Sequence, residues 1–164
     1  MLVFLADRPG TSYDLQQRHL QTFGSRRAVD VTRIGIVLNR QERVGYVRTA
    51  AVASPGTRRV CTLTDAGRRR QRTWMLEVPP ALSEAEVIDR VLLAMTAGDR
   101  ATFDTVVAAC LAVLQSAPSP PDLDPAPVVS ARHARAELEE IRTASVLTWL
   151  RRLGDRPRGR DIAA

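Results

Sequence analysis

Most of this chain shows apolar residues recurring at the spacing of one helix face, interrupted by a single stretch that reads as a hairpin. Behind Asp30, a good N-cap, Val31, Ile34, Val37, Leu38 and Val44 recur at helical spacing, and Gly45 stands where a left-handed residue would close the helix. Tyr46 to Ala53 then reads as a strand, Ser54-Pro55-Gly56-Thr57 as a tight turn, and Arg58 to Leu63 as the returning strand. Upstream, Met1 to Ala6 reads as the last turns of a helix, ended by Asp7-Arg8-Pro9-Gly10. Thr11 or Ser12 caps a second helix to about Gln21, with Tyr13, Leu15 and Leu20 inward and Gln16, Gln17 and Arg18 outside, closed by Phe23-Gly24.

After the hairpin, Thr64 caps a helix that Pro79-Pro80 ends. Ser83 and Glu86 form a capping box for the next, whose stripe is Val87, Ile88, Val91, Leu92 and Met95. A further helix, about Arg100 to Gln115, is apolar around most of its circumference through Phe103, Val106, Val107, Leu111 and Leu114, so it should be buried on several sides. Five prolines between Ser116 and Pro127 predict an extended linker. A long helix from Ser130 to Leu153 follows, then a polar tail expected to be disordered. Helix, short helix, turn, helix and hairpin is the order of a winged helix-turn-helix. The expected fold is therefore mostly α with a small β-wing. The expected divisions are a winged helix with its connecting helix over residues 1–80, a helical dimerisation region over 81–153 containing the linker 116–127, and a tail over 154–164.

Charge sharpens this picture. Residues 1–80 hold 14 Arg against 6 Asp and Glu, a balance of +8, whereas residues 81–164 hold 10 against 12, a balance of −2. A basic half that coincides with the helix and hairpin points to a polyanionic partner. Every basic residue other than histidine is Arg, whose forked donors suit phosphate and guanine equally. Two cysteines, Cys61 and Cys110, are too few and too far apart for a disulfide framework or a zinc site, and His19 and His133 have no ligand partner at suitable spacing. Neither a metal nor a cofactor is expected. The opening MLVFLA is too short for a signal peptide, and Val106 to Leu114 falls short of a membrane span, so a soluble cytoplasmic protein is expected. No Gly-rich phosphate loop, GxSxG or HExxH occurs, and catalysis finds no support in the motifs.

The sequence resembles the PadR family of winged-helix transcriptional repressors, specifically members with an additional carboxy-terminal helical domain. TSYDLQQR carries the resemblance through Tyr13, Asp14 and Leu15, and VGYV at Val44 to Val47 opens the wing. YVRTAAVASPGTRRVCTLTDAGRRRQRTWMLEVPP matches the wing, the Leu-Thr-x-x-Gly segment and the helix after it. Beyond Pro80 the match rests on helix order and on Trp149-Leu150. The chain has Gly35 where the family usually has an aromatic residue and Gln41 where it has Leu. An interior helical glycine costs about 1 kcal/mol relative to Ala, so Gly35 is either a tolerated loss or a close approach to another backbone.

These readings name a candidate site for double-stranded DNA. Thr32, Arg33 and Ile36 are placed nearest the base edges, with Arg33 suited to guanine O6 and N7 and Ile36 to a thymine methyl, while Asn39, Arg40 and Arg43 lie nearer the backbone. Arg48, Thr57, Arg58 and Arg59 form the wing, flanked by Arg27 and Tyr13. The bland alternatives are a solvated helix face and edge-strand charge against aggregation. For Arg68, Arg69, Arg70 and Arg72, which wrap around their helix, solvation is the better reading. Leu138, Ile141, Trp149, Leu150 and Leu153 are the candidate homodimer interface, because a helix on a tether with apolar residues on several faces needs a covering surface. Trp74 and Phe103 are candidates for an effector pocket, with core packing the simpler alternative. The expected activity is that of a homodimeric repressor, released by a small-molecule effector. A degenerate winged helix serving protein interaction is the alternative.

Overall fold

A computed structural model describes residues 1–52, 58–96, 99–116 and 130–156, with the side chains of Val52 and Arg58 outside the description. The expected turn at residues 54–57, including Thr57, and most of the Pro-rich stretch and the tail lie outside the described residues. The order of elements is α1 (Leu2–Asp7), α2 (Ser12–Phe23), a single 3-10 turn (Ser25–Arg27), α3 (Val31–Arg43), β1 (Val47–Val52), β2 (Arg58–Leu63), α4 (Asp65–Leu76), α5 (Glu84–Thr96), α6 (Arg100–Ser116) and α7 (Ala131–Asp155). This is a mostly helical winged helix-turn-helix with a two-stranded wing, extended by a helical region.

Two clusters of buried side chains organise it. Phe4, Leu5, Leu15, Ile34, Leu38, Val47, Cys61 and Leu63 form the core of the winged head. Val3, Met75, Val87, Val91, Ala94, Phe103, Val106, Val107, Cys110, Leu114, Val146 and Leu150 form the core of the helical region. The six residues of α1 explain how the two meet. Val3 belongs to the helical cluster and its neighbours Phe4 and Leu5 to the head, so this short apolar helix is covered on opposite sides. Leu93 of α5 packs against both.

The wing is antiparallel, with Val47 opposite Leu63, Thr49 opposite Cys61 and Ala51 opposite Arg59. Gly10 adds a further antiparallel bridge, exchanging both backbone hydrogen bonds with Cys61 at 3.1 and 2.9 Å. The base of the wing is held by Thr64, whose amide donates to the Tyr46 carbonyl (3.1 Å) and whose hydroxyl donates to the Gly45 carbonyl (2.6 Å). There Gly67 is required: a Cβ on it would lie 2.0 Å from the Tyr46 oxygen. The sequence segment Leu63-Thr64-Asp65-Ala66-Gly67 is thus a device for laying α4 against the start of β1.

Helix ends are closed by side chains. Thr11 and Asp14 form a reciprocal capping box on α2, and Ser83 and Glu86 form the expected one at α5. Three arginines close carboxy-terminal ends. Arg18 donates to the carbonyls of Phe4, Arg8 and Pro9 at 2.7, 2.7 and 2.9 Å. Arg90, 4% exposed, donates to those of Trp74, Met75 and Glu77 and stacks over the Trp74 ring at 4.4 Å. Arg100 pairs with Asp104 and donates to the carbonyls of Gly154 and Arg156. The last turns of a helix leave carbonyls without partners, and a guanidinium satisfies several at once while matching the negative end of the helix dipole. Burial lowers the pKa of both Arg18 and Arg90 from the ordinary arginine value.

Several expectations are corrected here. Tyr13 is 62% exposed, because residues two apart on a helix are about 200° apart and Leu15 takes the inward direction. Gln16 and Arg18 are not available to a partner: Gln16 donates to the Val29 carbonyl (2.9 Å) and Arg18 closes α1. Val31 and Val44 are exposed, leaving Ile34 and Leu38 as the buried pair of α3. Helix α7 runs through Gly154 to Asp155, past the expected start of the tail, under the cap from Arg100.

Candidate nucleic-acid interface

Helix α3 is built to present one face. Asp30 accepts from the Thr32 amide at 2.7 Å, and that contact with Thr32 holds the Asp30 carboxyl below its ordinary pKa. At the other end the Gly45 amide donates to the Glu42 carbonyl and the Tyr46 amide to that of Gln41, both at 2.9 Å, with Gly45 at φ 78°. That paired geometry is the Schellman motif, which needs a left-handed residue and explains the glycine. Tyr46 is committed to this cap, so the strand begins one residue later than the apolar pattern suggests. Between the caps, Ile34 and Leu38 are 1% and 3% exposed against the head core. The opposite side carries Thr32, Arg33, Ile36, Asn39, Arg40 and Arg43, all exposed.

This outer face is cationic and unpaired. Arg33, Arg40 and Arg43 have no ion pair among the described residues. Ile36 is 65% exposed in their midst, an apolar side chain held out among charges. Gly35 is no close approach: a Cβ there would meet only the Ser12 hydroxyl oxygen, at an ordinary 3.8 Å. A Cβ at residue 35 would thus fit without displacing a neighbour.

The wing and flanks divide. Arg48 is exposed and lies opposite Thr62. Arg59 is tied back to Glu42 at 3.3 Å, and the other oxygen of Glu42 accepts from the Thr49 amide at 3.1 Å, so this carboxylate braces the wing against α3. Arg27 pairs through both terminal nitrogens with Asp89 of α5, one contact at 2.7 Å, and lies over the Phe23 ring at 4.7 Å. Hydrogen bonding to Asp89 raises the Arg27 pKa. Arg27 and Arg59, expected among the wing and flank residues, thus each already have a carboxylate partner. These partners and the capping role of Arg90 escaped the sequence reading, because they join residues 13 to 62 positions apart.

A shallow cleft lies beside the amino-terminal half of α3, lined by Met1, His19, Arg27, Ala28, Val29, Arg33, Ile34 and Val37. His19 sits between the rings of Phe4 and Phe23, and its Nδ1 is buried without a hydrogen-bond partner among the described residues. Burial lowers the pKa of its imidazole, with Arg27 acting in the same direction and Asp89 opposing.

In the helical region, Leu138 and Ile141 are 49% and 57% exposed. Trp149 and Leu153 are half-buried against the chain's own core, and Leu150 is fully buried within it. Leu150 is thus engaged inside the chain and offers a partner no surface. Phe103 is buried in the same core, and Trp74 lies under Arg90. No group of three or more His, Cys, Asp or Glu suited to a metal occurs among the described residues, and none of their helices is long and apolar enough to cross a membrane.

No protein-family model matches the chain, and no curated protein matches it. Among solved structures the chain is similar to a crystal structure of Bacillus subtilis PadR in complex with operator DNA, with 15% sequence identity over 93% of this chain and 94% of that one and a TM-score of 0.43.

Proposed function

We propose that this chain is a sequence-specific DNA-binding transcriptional regulator of the PadR type, which binds promoter DNA as a homodimer and represses by occluding it. The observation that carries the reading is the outer face of α3: three unpaired arginines around an exposed isoleucine, on a helix fixed at both ends and followed by a hairpin. Exposed charge and a single exposed apolar residue are each ordinary on a helix surface; what supports the reading is their coincidence on a capped helix that leads into a basic hairpin. In a major groove, Arg33 would address guanine O6 and N7 and Ile36 a thymine methyl, while Asn39, Arg40 and Arg43 face phosphates. The exposed Leu138 and Ile141 on α7 are the surface a second subunit would cover, setting two heads at a fixed spacing. An effector would release DNA by favouring a different spacing.

Fluorescence anisotropy with duplexes from the promoter of its own gene tests this reading. Binding should weaken steeply with salt and fall on Arg33→Ala. Affinity that is flat across salt or indifferent to Arg33→Ala overturns it. A stable protein partner captured with no preference among duplexes would instead select a protein-interaction role.

A further inference from the structure

We propose that Asp89 competes with DNA phosphate for Arg27, so that the helical region sets how strongly the winged head holds a duplex. This rests on the DNA-binding reading above. Arg27 sits on the 3-10 turn that leads into α3 and lines the same cleft as Arg33, so it lies on the approach to the unpaired cationic face. Its charge is nonetheless neutralised from elsewhere in the fold. Asp89 belongs to α5, whose inner side chains Val87, Arg90, Val91 and Ala94 are buried in the helical core. The carboxylate is therefore held by the helical core, on a helix whose Leu93 also packs against the head. A carboxylate and a phosphate present the same pair of oxygens to a guanidinium fork, so Asp89 occupies the place a phosphate would take.

The pair is placed for exchange. The Arg27 side chain is 52% exposed and that of Asp89 28%, and ion pairs at such exposure hold weakly in water. Phe23 lies under the guanidinium at 4.7 Å and would keep it at the surface once the carboxylate is gone. Any shift of α5 relative to the head opens the pair, which returns one cation to the face and removes one anion from beside it.

The test uses the full chain and a fluorescent mixed-sequence duplex, titrated between about 50 and 200 mM salt. Wild type, Asp89→Asn, Arg27→Gln and the double variant are compared. Asp89→Asn should bind more tightly at the low-salt end and steepen the salt dependence by about 0.9 per head, so that affinity falls about 3.5-fold further across the range. In the Arg27→Gln background Asp89→Asn should change nothing. Thermal melts of the four proteins confirm that each is folded. If Asp89→Asn has the same effect with and without Arg27, only the field of the lost carboxylate is at work and the competition is overturned. The competition also fails if wild type binds with a steep salt dependence and Asp89→Asn does not alter it, and the DNA reading then stands. A wild type that binds no duplex overturns both.

Discussion

The arginines on the outer face of α3 and those at the helix joints carry the same guanidinium, yet the fold puts them to opposite uses. Arg18, Arg90 and Arg100 each turn their fork onto backbone carbonyls at the ends of helices, where the charge is matched by several acceptors. Arg33, Arg40 and Arg43 project from a helix whose inner side is filled by Ile34 and Leu38, and no carboxylate among the described residues meets them. Arg27 and Arg59 stand between, exposed but paired with Asp89 and Glu42. The lesson is that positive charge counted along a sequence overstates what a polyanion can use. A cation paired with a carboxylate adds little to the field outside, and one whose fork is turned onto carbonyls keeps its charge but has those donors committed.

This contrast predicts separable defects. The largest concerns Arg90: replacing it by Leu leaves the carbonyls of Trp74, Met75 and Glu77 without their donor, and stability should fall by about 2–3 kcal/mol. A lowered urea midpoint with an unchanged slope would show it, while the folded protein keeps its affinity for DNA. An unchanged midpoint would mean that the joint arginine is as dispensable as a surface one. Arg33→Ala should do the reverse. Its midpoint should stay within about 0.5 kcal/mol of wild type, while affinity for a preferred duplex falls by about 1–3 kcal/mol, measured by anisotropy on matched and mismatched sites.

A smaller effect is expected of Arg40→Ala or Arg43→Ala, each of which should weaken binding evenly across sequences and reduce the salt dependence by about 0.9. A change in sequence preference would move these residues from phosphate to base. The smallest effect lies within the head but away from its face. The pKa of His19 is lowered by burial, so the unfolded chain takes up its proton first as pH falls. Its contribution to stability should be complete above the ordinary imidazole value near 6.5 and decline as pH drops from there toward the lower folded value. Denaturation midpoints at pH 7.5 and about 5.5 would reveal the decline in wild type and its reduction in His19→Phe. Equal declines in both proteins would assign the pH dependence to other groups.

Local chemistry accounts for what could be read in advance. The caps at Asp30, Thr64 and Ser83 and the stop at Gly45 are all written in neighbouring residues, and each is where the sequence places it, while the first strand starts one residue late. The six outward residues of α3 follow from the same periodicity, because fixing Ile34 and Leu38 inward fixes the rest outward. Tyr13 shows the limit of that reasoning: an aromatic residue invites burial, but its angle from Leu15 forbids it. Gly67 was legible only as part of a motif, and its necessity comes from a carbonyl of a residue 21 positions earlier, 2.0 Å from where its Cβ would stand.

The sequence by itself determined the succession of helices and wing, the face that α3 offers and the basic balance of the half that carries it, since caps, turns and periodicity act over a few residues. Only the tertiary structure decided which arginines remain free. It set Asp89 against Arg27, Glu42 against Arg59 and three helix ends against Arg18, Arg90 and Arg100, and it drew Leu150 into the chain's own core. A charge is satisfied by whatever the fold brings within about 3 Å of it, and for Arg27, Arg59 and Arg90 that neighbour stands 13 or more positions away in sequence.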